Sequence, residues 1–201
     1  MLDARLRRVI DPALDRLSAP LDRIGLTPNA ATVLGFAIGL GAMAAISQRA
    51  YGLGLLLLLS NRLFDGLDGA LARRRGLTDF GGFLDIVLDF IFYAGIPLAF
   101  ALAEPGANGL AAAFLVVSFV GTGTSFLAFA VMAAKRGLAT DLRGRKSLYY
   151  LGGLTEGTET IAAFVLACLF PAWFPVIALV FGGLCWLTTA TRIAVAWQML
   201  R

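Results

Sequence analysis

Four aspartates stand as two close pairs, Asp65 with Asp68 and Asp85 with Asp89, each inside an otherwise apolar stretch. Spacings of i,i+3 and i,i+4 put each pair on one face of a helix. A carboxylate costs roughly 3 kcal/mol at the centre of a bilayer and less near its edge, so four together call for a cation. Oxygen-only ligand sets favour Mg²⁺ or Mn²⁺, and four carboxylates suffice for two ions about 3.5–4 Å apart. Two ions held in that way are the usual device for displacement at phosphorus. Gly66, Gly69, Gly76, Gly81 and Gly82 surround the acids, which allows close helix approach and leaves room for a ligand. Arg73, a turn and a half beyond Asp68, carries a guanidinium suited to a diphosphate. Its neighbours Arg74 and Arg75 read more simply as charges that set topology.

The elements that must position these acids are membrane helices. Of 201 residues, 59% are hydrophobic and only 15% charged, and the mean hydropathy is +0.81. A soluble domain runs at about 25% charged; this chain has too little polar surface to cover itself in water. An all-α integral membrane protein is expected, with six apolar spans near 29–48, 52–73, 81–103, 109–133, 153–170 and 173–198. Ala103-Glu-Pro-Gly-Ala-Asn108 reads as a turn, Pro171 separates the last two spans, and Arg73 to Gly76 ends the second. Arg and Lys crowd the N-terminal stretch, the second loop and the fourth loop, whereas the first loop has only Arg49 and the third and fifth have none. By the positive-inside rule both termini and the even-numbered loops are cytoplasmic. Asp68 and Asp65 then lie about 7 and 12 Å inside the membrane, and Asp85 and Asp89 about 6 and 12 Å, at 1.5 Å per residue. A short loop makes spans two and three antiparallel neighbours, so all four carboxylates converge near the cytoplasmic face.

Residues 1–24 do not read as a signal peptide, because charges are spread throughout and no apolar core with a cleavage site follows. Leu2, Leu6, Val9, Ile10, Leu14, Leu17 and Leu21 recur at threes and fours, the pattern of an amphipathic helix lying in the cytoplasmic interface. Pro12 and Pro20 are expected to kink or end it. The division is thus an interfacial segment, 1–24, and a six-helix transmembrane catalytic domain, 25–201. The absence of histidine removes imidazole from both catalysis and metal binding. A general base must then be a carboxylate, Lys, Tyr or Cys. Cys168 and Cys185 sit in apolar runs and read as small buried hydrophobes. The net charge of +4 comes from residues flanking the spans, which suits anionic lipid rather than nucleic acid.

The acids also belong to a longer pattern. Asp65-x-x-Asp68-Gly69-x-x-Ala72-Arg73 is followed, after seven residues, by Gly81-x-x-x-Asp85-x-x-x-Asp89. This resembles the CDP-alcohol phosphatidyltransferase family at all eight fixed positions of its motif. Leu26-Thr27-Pro28-Asn29 through Thr32 is similar to the family's entry into its first span. The resemblance implies transfer of a phosphatidyl group from a CDP-alcohol, chiefly CDP-diacylglycerol, to an alcohol acceptor with release of CMP. Asp65, Asp68 and Asp85 would bind metal, and Asp89 would act as both ligand and general base. Gly69, Ala72 and Arg73 would line the CDP pocket, with Thr78, Asn29 and Thr32 as further contacts. Homodimerisation and a place in the cytoplasmic membrane of a prokaryote are implied as well.

The acceptor is less legible. Lys135, Arg143, Arg145 and Lys146 suit a phosphorylated acceptor, or else serve topology alone. Glu156 and Glu159 share a helix face suited to an amino-alcohol ammonium, or else pair with Arg192. Three other readings of the acids stand beside the transferase. One is a buried ion-pair network with nearby arginines, including Arg62. A second is a divalent-cation transporter, which leaves Gly69, Ala72 and Arg73 without a role. The third is an intramembrane prenyltransferase of the UbiA type, faintly echoed by Asn61-x-x-x-Asp65.

Overall fold

The computed structural model describes residues 2–137 and 154–200, with side chains from Ile10 onward. All regular structure in these residues is helical: α1 (Leu2–Arg23), α2 (Pro28–Ser47), α3 (Tyr51–Arg75), α4 (Asp79–Ala103), α5 (Pro105–Lys135), α6 (Gly157–Leu169), a 3-10 turn at Pro171–Trp173, and α7 (Phe174–Met199).

Helix α1 contains both prolines and ends at neither. Each removes one backbone donor, but packing holds the turns around them: Leu14 and Leu21 lie against Leu67 and Ala70 of α3. Gly66 accepts this close approach, since a Cβ there would meet Leu14 Cδ1 at 2.6 Å. The helix closes at Gly25, whose φ of +88° lets Leu26 N bond to Leu21 O and Gly25 N to Asp22 O, the Schellman pattern. Thr27 then caps α2 by accepting from Ala30 N at 3.2 Å, with Pro28 in the first turn.

Among the described residues, four stretches are long and apolar enough to cross a membrane: α2, α4, α5 and Pro171–Met199. Helix α3 has the length, 25 residues, but its second half carries Arg62, Asp65, Asp68 and three terminal arginines. Helix α6 has 13 residues, about 20 Å at 1.5 Å each, against about 30 Å of hydrocarbon. The expected fifth span began at 153, which lies outside the described residues. The turn expected at 103–108 shrinks to Glu104, because Pro105 can open α5 without its missing N–H being needed. Asn108 Nδ2 instead donates back to Phe100 O at 2.9 Å.

The core runs along the bundle interior and is rich in phenylalanine. Phe92, Phe100, Phe164 and Phe174 are at most 1% exposed. Tyr51 stacks on Phe100, which stacks on Phe174 with centroids 4.4 Å apart. Cys168 and Cys185 are buried in this cluster as free thiols. Helix α2 packs closely on both α3 and α4, whereas α3 and α4 have almost no close backbone approach to each other. The two helices are neighbours joined by residues 76–78, but they meet through side chains such as Arg62 and Asp89 rather than through backbone, and the seam between them holds the acids.

The candidate metal and substrate site

Helix α2 brings the site together through small residues. Gly35 O accepts from Asn61 Nδ2 at 2.8 Å. At Gly39, a Cβ would meet Phe92 at 2.8 Å and Asn61 Nδ2 at 3.1 Å. Any larger side chain would push α3 and α4 off α2. Held in this way, α3 presents Asp65 and Asp68 to the seam, and α4 presents Asp85 and Asp89. The four acids line one small open cleft with Thr32, Asn61, Arg62 and Phe92.

Within the cleft the acids divide. Asp65, Asp85 and Asp89 each offer a carboxylate oxygen within 4.8 Å of the others. Asp68 lies on the same cleft outside that group; it is 6% exposed, and its Oδ2 is buried without a hydrogen-bond partner among the described residues. The helix spacing alone grouped all four, but i,i+3 turns Asp68 part-way round α3 toward α2. The donor set fits a hard divalent ion: oxygen ligands only, three of them gathered, with an orphaned carboxylate oxygen beside them.

Arg62 is the member of the site that spacing did not assign. Its Nη2 donates to Asp89 Oδ1 at 2.9 Å, and its Nη1 lies 3.6 Å from Asp65 Oδ2. Nη1 also donates to Tyr93 Oη at 3.2 Å, and Nε to Asn61 Oδ1 at 2.7 Å. The ion-pair reading named Arg62 and is right about its contacts, though one guanidinium cannot balance four carboxylates. The signal available in the sequence was an arginine inside an apolar span, one turn before Asp65.

At the arginine-rich end of the bundle the other site residues lie close by. Arg73 Nη2 donates to Asp15 Oδ1 at 3.0 Å, and its Nη1 would lie 3.7 Å from a Cβ on Gly69. The pair with Asp15 is about half exposed, so it competes weakly with an incoming anion. Arg74 and Arg75 do more than set topology: Arg74 donates to Ser18 Oγ and Asp15 O, and Arg75 to Asp22 Oδ1 and Asp22 O. These bonds fasten α1 to the end of α3. Thr78 caps α4 by accepting from Gly81 N at 3.1 Å. Asn29 reaches the same turn, its Oδ1 3.1 Å from where a Gly81 Cβ would stand. Thr32 faces the cleft, although its hydroxyl donates to Pro28 O at 3.1 Å. Ala72 is half-buried on α3.

Acceptor-side candidates are more scattered. Lys135 ends α5 and is exposed, and Arg143, Arg145 and Lys146 lie outside the described residues. Glu156 and Glu159 form a capping box at the start of α6, with Glu156 N donating to Glu159 Oε2 at 3.1 Å. Arg192 is buried on α7 and donates from Nη1 to Thr122 O at 2.8 Å.

The model of the CDP-alcohol phosphatidyltransferase family matches residues 25–197. The chain belongs to that family. As a CDP-alcohol phosphatidyltransferase it is an enzyme of phospholipid synthesis, and the transporter and UbiA-type readings are set aside. It is 56% identical to inner membrane protein YnjF of Escherichia coli K12, over 96% of this chain and 94% of that one. It is 30% identical to archaetidylinositol phosphate synthase of Methanothermobacter thermautotrophicus, over 98% and 92%. A crystal structure of phosphatidylinositol phosphate synthase of Mycobacterium tuberculosis with CDP-DAG bound is similar at a TM-score of 0.65 and 25% identity, covering 92% of this chain and 93% of that one. Another of the same synthase, in complex with manganese and citrate, shares the fold at a TM-score of 0.70 and 23% identity, over 92% and 88%.

Proposed function

We propose that this transferase moves a phosphatidyl group from CDP-diacylglycerol to a small polar alcohol and releases CMP. The observation that carries the reading is the gathering of Asp65, Asp85 and Asp89 inside the complete motif from Asp65 to Asp89. Asp65, Asp68, Asp85 and Asp89 would hold two Mg²⁺ or Mn²⁺ ions. Such ions neutralise a diphosphate and stabilise charge developing in an in-line displacement at phosphorus. Asp89 takes the proton from the acceptor hydroxyl. Its Oδ1 is anchored by Arg62, which leaves Oδ2 for that work. Gly69 has no bulk to exclude the nucleotide, and Arg73 beside it can leave its exposed partner Asp15 to grip the diphosphate. Ala72, Thr78, Asn29 and Thr32 complete the wall around the CDP head.

The setting follows from the same logic. Six segments cross the cytoplasmic membrane of a prokaryote, α2 to α7, the 13-residue α6 doing so together with the non-helical residues 154–156 before it and the turn at Pro171–Trp173 after it, with α1 along the interface. Both termini and the acids face the cytoplasm, where the CDP head group of the lipid and the dissolved acceptor meet, while acyl chains enter sideways through the open seam between α3 and α4. Homodimerisation, the habit of the family, is the assembly to expect. Lys135, Arg143, Arg145, Lys146, Glu156 and Glu159 are the residues proposed for the acceptor side.

The test is CMP release by purified protein supplied with CDP-diacylglycerol, Mg²⁺ or Mn²⁺, and a panel of acceptors. Inositol phosphate comes first, because two relatives are named as synthases of inositol phosphate lipids. Glycerol phosphate, serine, ethanolamine and choline follow. Metal-dependent release with one acceptor is expected. Release that persists in excess chelator would refute the metal-assisted reading.

A further inference from the structure

We propose that Arg62 is a resident cation of the acid cluster and sets its metal loading, so that the free enzyme holds one divalent ion firmly and takes the second only with the CDP diphosphate. The inference rests on the metal site proposed above and adds a member that the motif does not contain.

Arg62 is built in rather than incidental. Its side chain is 15% exposed. Two edges of the guanidinium meet Asp89 and Asp65, and the third meets Asn61. The carbon of the guanidinium lies 4.6 Å from the Phe92 ring centroid and 5.3 Å from that of Tyr93, within cation–π range. Its supports are themselves fixed: Asn61 is 3% exposed and bonded to Gly35 O, and Gly39 leaves space for both Asn61 and Phe92. Three of its five N–H groups donate to Asn61, Tyr93 and Asp89, and Nη1 also faces Asp65, so the guanidinium is turned to the cluster and its supports. Its effect is exerted through Asp65 and Asp89, as a positioning residue.

Charge sets the consequence. Four ionised aspartates and one guanidinium carry three net negative charges. A first divalent ion leaves one, a poor attraction for a second. The diphosphate of a CDP-alcohol brings the missing negative charge, so second-ion binding and donor binding favour each other. Without Arg62 the second ion would meet two net negative charges and no guanidinium. At about 5 Å in a water-like dielectric, losing that repulsion tightens binding by about tenfold.

The experiment counts Mn²⁺ bound to purified protein in detergent, by the spectroscopic signal of free Mn²⁺, with and without CDP. Wild type is expected to bind one ion firmly and to gain the second on addition of CDP. Arg62→Gln should bind two without CDP, the second about tenfold more tightly than wild type. Arg62→Lys, which keeps the charge, should retain the wild-type pattern. If Arg62→Gln binds Mn²⁺ more weakly than wild type, Arg62 only braces the carboxylates and the proposal is overturned. Two equally tight ions in wild type without CDP would also overturn it, and that arm needs no variant to fold. Wild type binding no Mn²⁺ even with CDP would overturn both this inference and the metal site beneath it.

Discussion

Asp89→Asn separates chemistry from folding. The substitution keeps the shape of the side chain and removes its charge. It weakens a 2.9 Å bond to Arg62 between side chains that are 29% and 15% exposed, a loss of about 1.5–3 kcal/mol for a charge-assisted bond. It also relieves repulsion from Asp65 and Asp85, whose oxygens lie within 4.8 Å. Each such pair is worth roughly 1 kcal/mol in a water-like medium and about 3.5 kcal/mol at an effective dielectric of 20. With Asp65 and Asp89 about a third exposed, the water-like value applies and the two repulsions together come to about 2 kcal/mol; this opposes the lost bond, so folding stability should change by no more than about 1–2 kcal/mol. Activity has no such offset. Loss of a general base costs about 10²–10⁴ in rate, and loss of a metal ligand adds to it. CMP release should therefore fall at least about a thousandfold, with a thermal midpoint in detergent close to wild type. A variant that keeps more than about a tenth of wild-type activity would refute the role of Asp89. One that loses activity only by unfolding would refute the balance of charges.

Other perturbations probe the surroundings. Asp85→Asn should abolish transfer and also the rise in thermal midpoint that Mn²⁺ gives wild type, since a ligand that binds only the folded state stabilises it. Arg73→Ala should raise the apparent Kd for CDP by more than that for Mn²⁺; equal losses would mean that Arg73 supports the acids instead. Its half-exposed pair with Asp15 predicts less than about 1 kcal/mol of stability change. Gly66→Leu drives a side chain into Leu14, so α1 should lift from α3 and become open to trypsin at Arg16 and Arg23; unchanged digestion would contradict the docking. Phe100→Ala removes a fully buried ring stacked on Phe174 and should cost about 3–5 kcal/mol in denaturation.

The parts legible beforehand were those written in local pattern. Apolar runs and their breaks gave α2, α3, α4 and α7 to within a few residues. The motif gave the acids and the family. What escaped depends on partners distant in the chain. Pro12 and Pro20 end helices in isolation, but α1 is held by α3, so it runs through both. Helix spacing put all four acids on one cleft, which they do line, but it could not show that Asp65, Asp85 and Asp89 gather more closely than Asp68 does. Arg62 read as one possible counter-ion because its place depends on Asn61, Phe92 and Tyr93, and they in turn on Gly35 and Gly39. The glutamates of α6 were read for the acceptor, yet each also caps the helix that carries them.

The central claim is that the gathered carboxylates of α3 and α4 hold the divalent ions of phosphatidyl transfer. Anomalous diffraction from crystals grown with Mn²⁺ and CDP tests it most directly. The account predicts peaks ringed by Asp65, Asp68, Asp85 and Asp89, with the Arg62 guanidinium still on Asp89. Peaks at other residues, or none in protein that releases CMP from CDP-diacylglycerol in the same Mn²⁺ solution, would contradict it.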